Sequence, residues 1–217
     1  MEETKSLPVL NSEEIRILGV LMEKSKTTPE YYPMTINAIT VACNQKTSRK
    51  PVVQYDDQTV TLVLDTLKRK GLISTATGGS SRAIKYKHNF AIVFPVLPAE
   101  VSILCLLMLR GPQTPGELNT NSGRLYEFES LDEVQSVLER LSDPELSYVI
   151  QLPRKAGQKE TRYIHLLSGA PDLSQLEQEV ETYTKAPGEL EIRLTKVEEE
   201  LAQLKADFDK LMKELVG

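Results

Sequence analysis

The sequence predicts a mainly α-helical chain with small β-hairpins, an α+β class, built from two copies of one unit and a helical tail. Three observations carry this. The chain matches itself segment by segment in a preserved order, apolar stripes at helical spacing give way to short alternating segments around glycines, and a heptad pattern runs near the C-terminus.

The repeat comes first because it organises the rest. "EIRILGVLM" (14–22) matches "EVSILCLLM" (100–108) at an offset of 86, and the same offset carries Thr28-Pro29 onto Thr114-Pro115. Val60, Val63, Leu64 and Leu67 correspond to Val134, Val137, Leu138 and Leu141 at an offset of 74, and "KYKH" (85–88) meets "RYIH" (162–165) at 77. Order is preserved while loop lengths differ, as expected of a duplicated domain rather than a short solenoid repeat.

Within each copy the elements read helix, helix, helix, hairpin. The first helix places Ile15, Leu18, Leu21 and Met22 on one stripe facing a core. In the second copy "TPGE" starts the second helix, with Thr114 as cap, Pro115 in the first helical position and Glu117 closing a capping box. "SLDE" (130–133) predicts the same device for the third helix. After Gly71, "LIST", "ATGGSS" and "RAIKYKH" follow, the last alternating Ile84, Tyr86 and His88 with Lys85 and Lys87. Two short strands around a Gly-rich tip make a hairpin. Three small helices closed by a hairpin describe a winged helix. The predicted organisation is winged-helix domain 1 over 1–96, winged-helix domain 2 over 97–168 and a helical tail over 169–217.

The tail carries Leu173, Leu176, Val180 and Tyr183, then Leu190, Leu194, Val197, Leu201, Leu204, Phe208, Leu211 and Leu215, at spacings of three and four. Pro187-Gly188 breaks the run, so a coiled-coil-like helix is expected from about 189 to 215. In a parallel pair, Arg193 would face Glu198 and Glu200 would face Lys205, both attractive. A homodimer through this helix is expected, with fold-back onto the chain's own domains as the alternative.

"LMEKSKTTPEYYPMTINAITVACNQKTSRKPV", "LRGPQTPGEL", "RLYEF" and "ETRYIHL" together resemble the YceH-like family of uncharacterised bacterial proteins, over nearly the whole chain. The resemblance implies tandem winged-helix domains followed by a helical tail, and it implies no established activity.

Composition narrows the function classes. No run of about 18 apolar residues occurs, and the acidic start "MEETKSLPVL" is unlike a signal peptide, so a cytoplasmic protein without a membrane partner is expected. Catalytic groups are few. Cys43 and Cys105 lie inside apolar helical patterns without metal-ligand spacing, which predicts buried reduced thiols. His88 and His165 recur at one position of the repeat beside Tyr86 and Tyr163, which predicts packing at the base of each hairpin. "TGGSS" lacks the Lys-Ser/Thr ending of a phosphate loop. The expectation is a non-enzyme with no catalytic residue, cofactor or metal site.

Charge then points to one region. Formal charge is +4 over 1–97, −3 over 98–167 and −6 over 168–217. Nucleic acid, if bound, would meet the first segment. There the third helix turns Gln58, Thr61, Asp65, Lys68 and Arg69 outward, Gln58 and Thr61 suited to base edges and Lys68, Arg69 and Lys70 to phosphate. Asp56, Asp57 and Asp65 oppose this. The hairpin adds Arg82, Lys85 and Lys87, and the loop "ACNQKTSRKPV" (42–52) adds Lys46, Arg49 and Lys50 where a helix-turn-helix connection runs close to the backbone. The alternative for that loop is a solvated basic connection fixed by its own hydrogen bonds. In the second copy the matching face offers Asp132, Gln135, Glu139 and Ser142, wrong for DNA, although Arg154, Lys155, Lys159 and Arg162 lie on its hairpin. The leading expectation is a DNA-binding protein, a transcriptional regulator contacting DNA through domain 1. The alternative is a protein-docking scaffold similar in outline to tandem winged-helix subunits of chromosome-segregation complexes.

Overall fold

A computed structural model describes residues 8–76, 83–154 and 160–171 together with 203 and 205. The chain divides into two compact units, residues 1–170 and 171–217, and every element named below belongs to the first. The tail positions from Leu190 to Leu215 lie outside the described residues, as do Arg82, Lys155 and Lys159.

The first copy comprises α1 (Ser12–Thr27), a single 3-10 turn (Pro29–Tyr31), α2 (Ile36–Cys43), α3 (Asp57–Arg69), β1 (Ile73–Ala76), β2 (Lys85–His88) and the short α4 (Phe90–Val93). The second comprises α5 (Pro98–Arg110), α6 (Pro115–Ser122), α7 (Leu131–Leu141), β3 (Val149–Gln151) and β4 (Tyr163–His165). The fold is thus mainly helical with two small antiparallel hairpins, β1-β2 and β3-β4. Ile73 pairs with His88, and Val149 pairs with His165. Each hairpin gains a bridge that the sequence did not reveal: Met34 pairs with Tyr86 and Gln113 with Tyr163, at equivalent places between the first and second helices.

Local capping sets the helix starts. Asn11, Thr35, Asp56, Thr114 and Ser130 each accept a backbone N–H from the first turn, and Thr114 with Glu117 forms the expected capping box. At Ser130 only half of the expected box forms. Glu133 turns instead to the Glu129 N–H, 2.8 Å, and the Tyr126 hydroxyl, 3.1 Å.

The largest departure from the sequence reading concerns the first helix of each copy. The apolar spacing predicts a one-sided stripe on α1, yet every residue from Glu14 to Met22 is buried, as is every residue of α5 from Ala99 to Leu109. The two helices pack against each other, so each has its own copy on one side and the other copy on the opposite side. Gly19 permits the approach: a Cβ there would lie 3.0 Å from Leu109 Cδ2 and 3.4 Å from Met108 Cβ. A continuous cluster of buried apolar residues runs from Leu10 to Leu167 through both copies.

The charged N-terminal turns of these helices are buried in matching ways. Glu14 accepts from the Asn11 N–H, from Thr66 Oγ1 at 2.9 Å and from Lys70 Nζ at 2.7 Å. Glu100, its equivalent, accepts from the Leu97 N–H, and Arg140 Nε lies 2.9 Å from its other oxygen in an ion contact without hydrogen-bond alignment. Thr66 and Arg140 are equivalent positions of the repeat, so a third-helix residue meets the first-helix carboxylate in both copies.

Candidate nucleic-acid interface

The loop after α2 is built from inside the protein. Asn44 clamps its ends, donating to Tyr55 O and accepting from Tyr55 N, both at 2.8 Å. Arg16, in the middle of α1, donates to Cys43 O at 3.2 Å and to Pro51 O. Arg49 fills the space between, its side chain wholly shielded from solvent. Its guanidinium donates to Ala42 O, Ser48 O, Gln45 Oε1 and both oxygens of Glu23, the latter at 3.0 and 2.6 Å. All five N–H donors are matched. Burial pushes the Glu23 carboxyl upward, but the hydrogen bonds and charge of Arg49 outweigh this and hold it below the usual carboxylate range.

Arg49 therefore leaves the group of phosphate-facing cations in which the sequence placed it. The loop is also fastened to the second copy: Lys50 N donates to Leu109 O at 2.8 Å, and Arg110 Nη2 donates to Ser48 Oγ at 3.0 Å. Ser48 holds a left-handed backbone, φ 61°. Lys46 and the Lys50 side chain remain at the surface. Sequence reasoning missed Arg16, Glu23 and Arg110 as anchors. A cation flanked by apolar residues on every side of a helix, as Arg16 is in "EIRILG", was the available signal for a buried donor.

The outer face of α3 carries exposed Gln58, Asp65, Lys68 and Arg69, with Thr61 half-buried and its hydroxyl donated to Asp57 O at 2.6 Å. Leu62 interrupts this polar face, 62% exposed. A shallow depression beside it is lined by Leu62, Asp65, Thr66, Lys68 and Arg69. The two aspartates at the start of the helix have structural work. Asp56 caps α3 through the Thr59 N–H at 2.7 Å, a bond that lowers its carboxyl below the usual value, and Asp57 accepts from the Thr40 hydroxyl on α2. On β2, Lys87 is exposed and Lys85 half-buried, flanking buried Tyr86. Burial raises the Tyr86 phenol, and the negative charge of Asp65 raises it further.

On the second copy Asp132 and Glu139 are exposed, while Gln135 donates to Tyr163 OH at 3.3 Å. Arg154 is exposed. Arg162 is committed to Glu117, 2.7 and 2.8 Å, and to Pro112 O.

The histidines lie at the hairpin bases. His88 Nδ1 accepts from Phe90 N at 3.3 Å, leaving Nε2 to donate to Ser25 Oγ at 3.2 Å. Burial, helped by Lys26, lowers its pKa to about 4, and burial alone lowers His165 to about 4. Both thiols are buried, and burial pushes Cys43 up to about 12 and Cys105 upward as well. Among the described residues no three His, Cys, Asp or Glu side chains converge as a metal-ligand set, and no helix is long and apolar enough to cross a membrane.

Residues 10–158 match the family described as "Protein of unknown function, DUF480". A UPF0502 protein of Opitutus terrae is 49% identical over 172 residues, covering 79% of this chain and 75% of its own. A UPF0502 protein of Shewanella sp. strain ANA-3 is 42% identical over 220 residues, covering 95% of this chain and 99% of its own. One from Citrifermentans bemidjiense is 46% identical over 194 residues, 89% and 88% of the two chains.

Proposed function

Because the chain belongs to the DUF480 family, a grouping made by sequence and not by activity, we propose from its own surface that it is a cytoplasmic, non-catalytic tandem winged-helix protein that contacts duplex DNA weakly through its first copy. The three-helix-plus-hairpin order of each copy, with Met34 and Gln113 bridging to the second strand, supports the winged-helix reading. The observation that carries the DNA reading is the set of surface cations on α3 and on the hairpin that follows it. Lys68 and Arg69 end the exposed helix face, and Lys85 and Lys87 lie on β2 with side chains on the opposite face of the strand from buried Tyr86. Burial of both thiols and both hairpin-base histidines supports binding over catalysis, since a nucleophile or base must reach its substrate. Without Arg49, the contact is smaller than the sequence suggested, and it serves phosphate attachment more than base reading.

Fluorescence anisotropy with a labelled duplex at low salt tests this. The paired changes Lys68→Glu with Arg69→Glu, and Lys85→Glu with Lys87→Glu, should each weaken binding and flatten the log–log salt slope by about one unit per lost contact. Arg154→Glu should matter less. Wild-type protein that does not bind duplex at low salt overturns the reading.

Protein docking is the second reading, supported by Leu62 at the centre of the α3 face and by Val41 on α2, 61% exposed. Apolar side chains there suit a protein surface and are of no use against a phosphate backbone. Leu62→Glu separates the two readings: duplex binding should fall modestly through charge, while protein capture through this face should be lost outright.

A further inference from the structure

Where the two copies meet, on the side where the loop after α2 reaches α5, lies a cleft of about 340 Å³. Its size falls at the small end of cavities that hold metabolites. Four cations line it, two from each copy: Lys24 and Lys46 from the first, Arg110 and Arg124 from the second. Gln45 and Asn121 add amides, and Leu106 and Leu125 supply apolar surface. We propose that this cleft binds a small phosphorylated molecule, with the phosphate held between the two copies.

A structural explanation for the cations has to be weighed first. Helices α1, α2, α5 and α6 all end at or beside the cleft, and each C-terminus carries about half a negative charge, roughly −2 in all. Glu23 is a further wall residue, held from the interior by two hydrogen bonds from Arg49 and on the cleft side by Lys24 at 3.1 Å, so Lys46, Arg110 and Arg124 are the cations left to a ligand. The three cations not paired with Glu23, against roughly two units of helix-end charge, leave an excess of about +1 before any screening. That sign selects an anion, and a phosphate group can draw Lys24 from Glu23, which Arg49 still holds.

The donors are also arranged for a ligand. Arg110 is oriented by Asn121 Oδ1 at 2.8 Å and Ser48 Oγ at 3.0 Å, which pre-sets a planar fork at the seam. Lys46 and Arg124 are exposed and have no hydrogen bond or ion pair among the described residues. The recess favours a small molecule over the convex backbone of a duplex. This proposal goes beyond the DNA reading and does not depend on it.

Pyrophosphate is the probe. Titrated into full-length protein at constant ionic strength held with chloride, it should raise the melting temperature saturably and shift the amide resonances of residues 45–48 and 121–125. Lys46→Ala combined with Arg124→Ala removes two exposed side chains and should weaken the apparent affinity at least tenfold while the ligand-free melting temperature stays put. No saturable effect in the wild type, or an undiminished one in the double variant, overturns the proposal. If a duplex at low salt displaces the pyrophosphate, the cleft belongs to a nucleic-acid backbone and the small-molecule assignment falls. Failure of duplex binding with pyrophosphate binding intact would sink the DNA reading and leave the cleft assigned.

Discussion

Cys105 Sγ lies 3.4 Å from the carbonyl oxygen of Gly19, and the two residues occupy the same position of the repeat, 86 residues apart. Contact between equivalent positions is what a two-fold-related pair produces. Helices α1 and α5 therefore meet at equivalent positions of the two copies, with Gly19 packed beside Cys105, Met108 and Leu109.

This packing makes Gly19 intolerant of bulk. A mid-helix glycine costs about 1 kcal/mol relative to alanine, so its presence on α1 is explained by the close approach of Leu109 and Met108. Gly19→Val should lower the unfolding free energy by about 1–3 kcal/mol, read by urea denaturation. An unchanged midpoint would show that the two helices can move apart freely.

Arg49 and Lys46, three residues apart in one loop, should behave oppositely. Arg49→Ala leaves Glu23 largely buried without its main partner and should cost about 3–5 kcal/mol. Lys46→Ala, at an exposed position, should stay within about 0.5 kcal/mol of wild type. Equal effects in chemical denaturation would contradict the placement of the loop.

The buried histidines set an acid limit on stability. Each has its folded pKa lowered to about 4, against about 6.5 in the unfolded chain. The unfolded state therefore binds more protons between those values. Stability should be constant above about pH 7, fall as pH drops towards 4, and level off for this contribution below that. Denaturation midpoints at pH 7.5, 6, 5 and 4.5 should trace the fall, and His88→Gln with His165→Gln should flatten it. The depressed carboxylates Glu14, Glu23 and Glu117 act in a separate window, their contribution present above about pH 4.3 and lost as pH falls through their lower folded values.

The tail yields a prediction about assembly. The stripe from Leu190 to Leu215 needs burial, and roughly four heptads suit a parallel pair. Truncation before Glu189 should convert a dimer to a monomer in light scattering and leave the far-UV signal per residue of the remaining chain intact. A full-length monomer at micromolar concentration would reject the dimer.

The sequence by itself determined what is local. Helix starts followed from Thr114 with Glu117, hairpins from alternation around glycines, and the order of elements from a self-match, because caps, turns and periodicity act over a few residues. Only the tertiary structure decided what covers each face. The stripe on α1 announced one buried side, but α5 buries the other as well, and hydropathy spacing cannot register a second surface supplied from 86 residues away. The same limit applies to charge. Lys46, Arg49 and Lys50 are alike in sequence, yet one lines a cleft at the seam, one is locked inside against Glu23, and one fastens its backbone to α5. A cation's role depends on whether a carboxylate or water meets it, and that is settled by distant chain segments brought together in the fold.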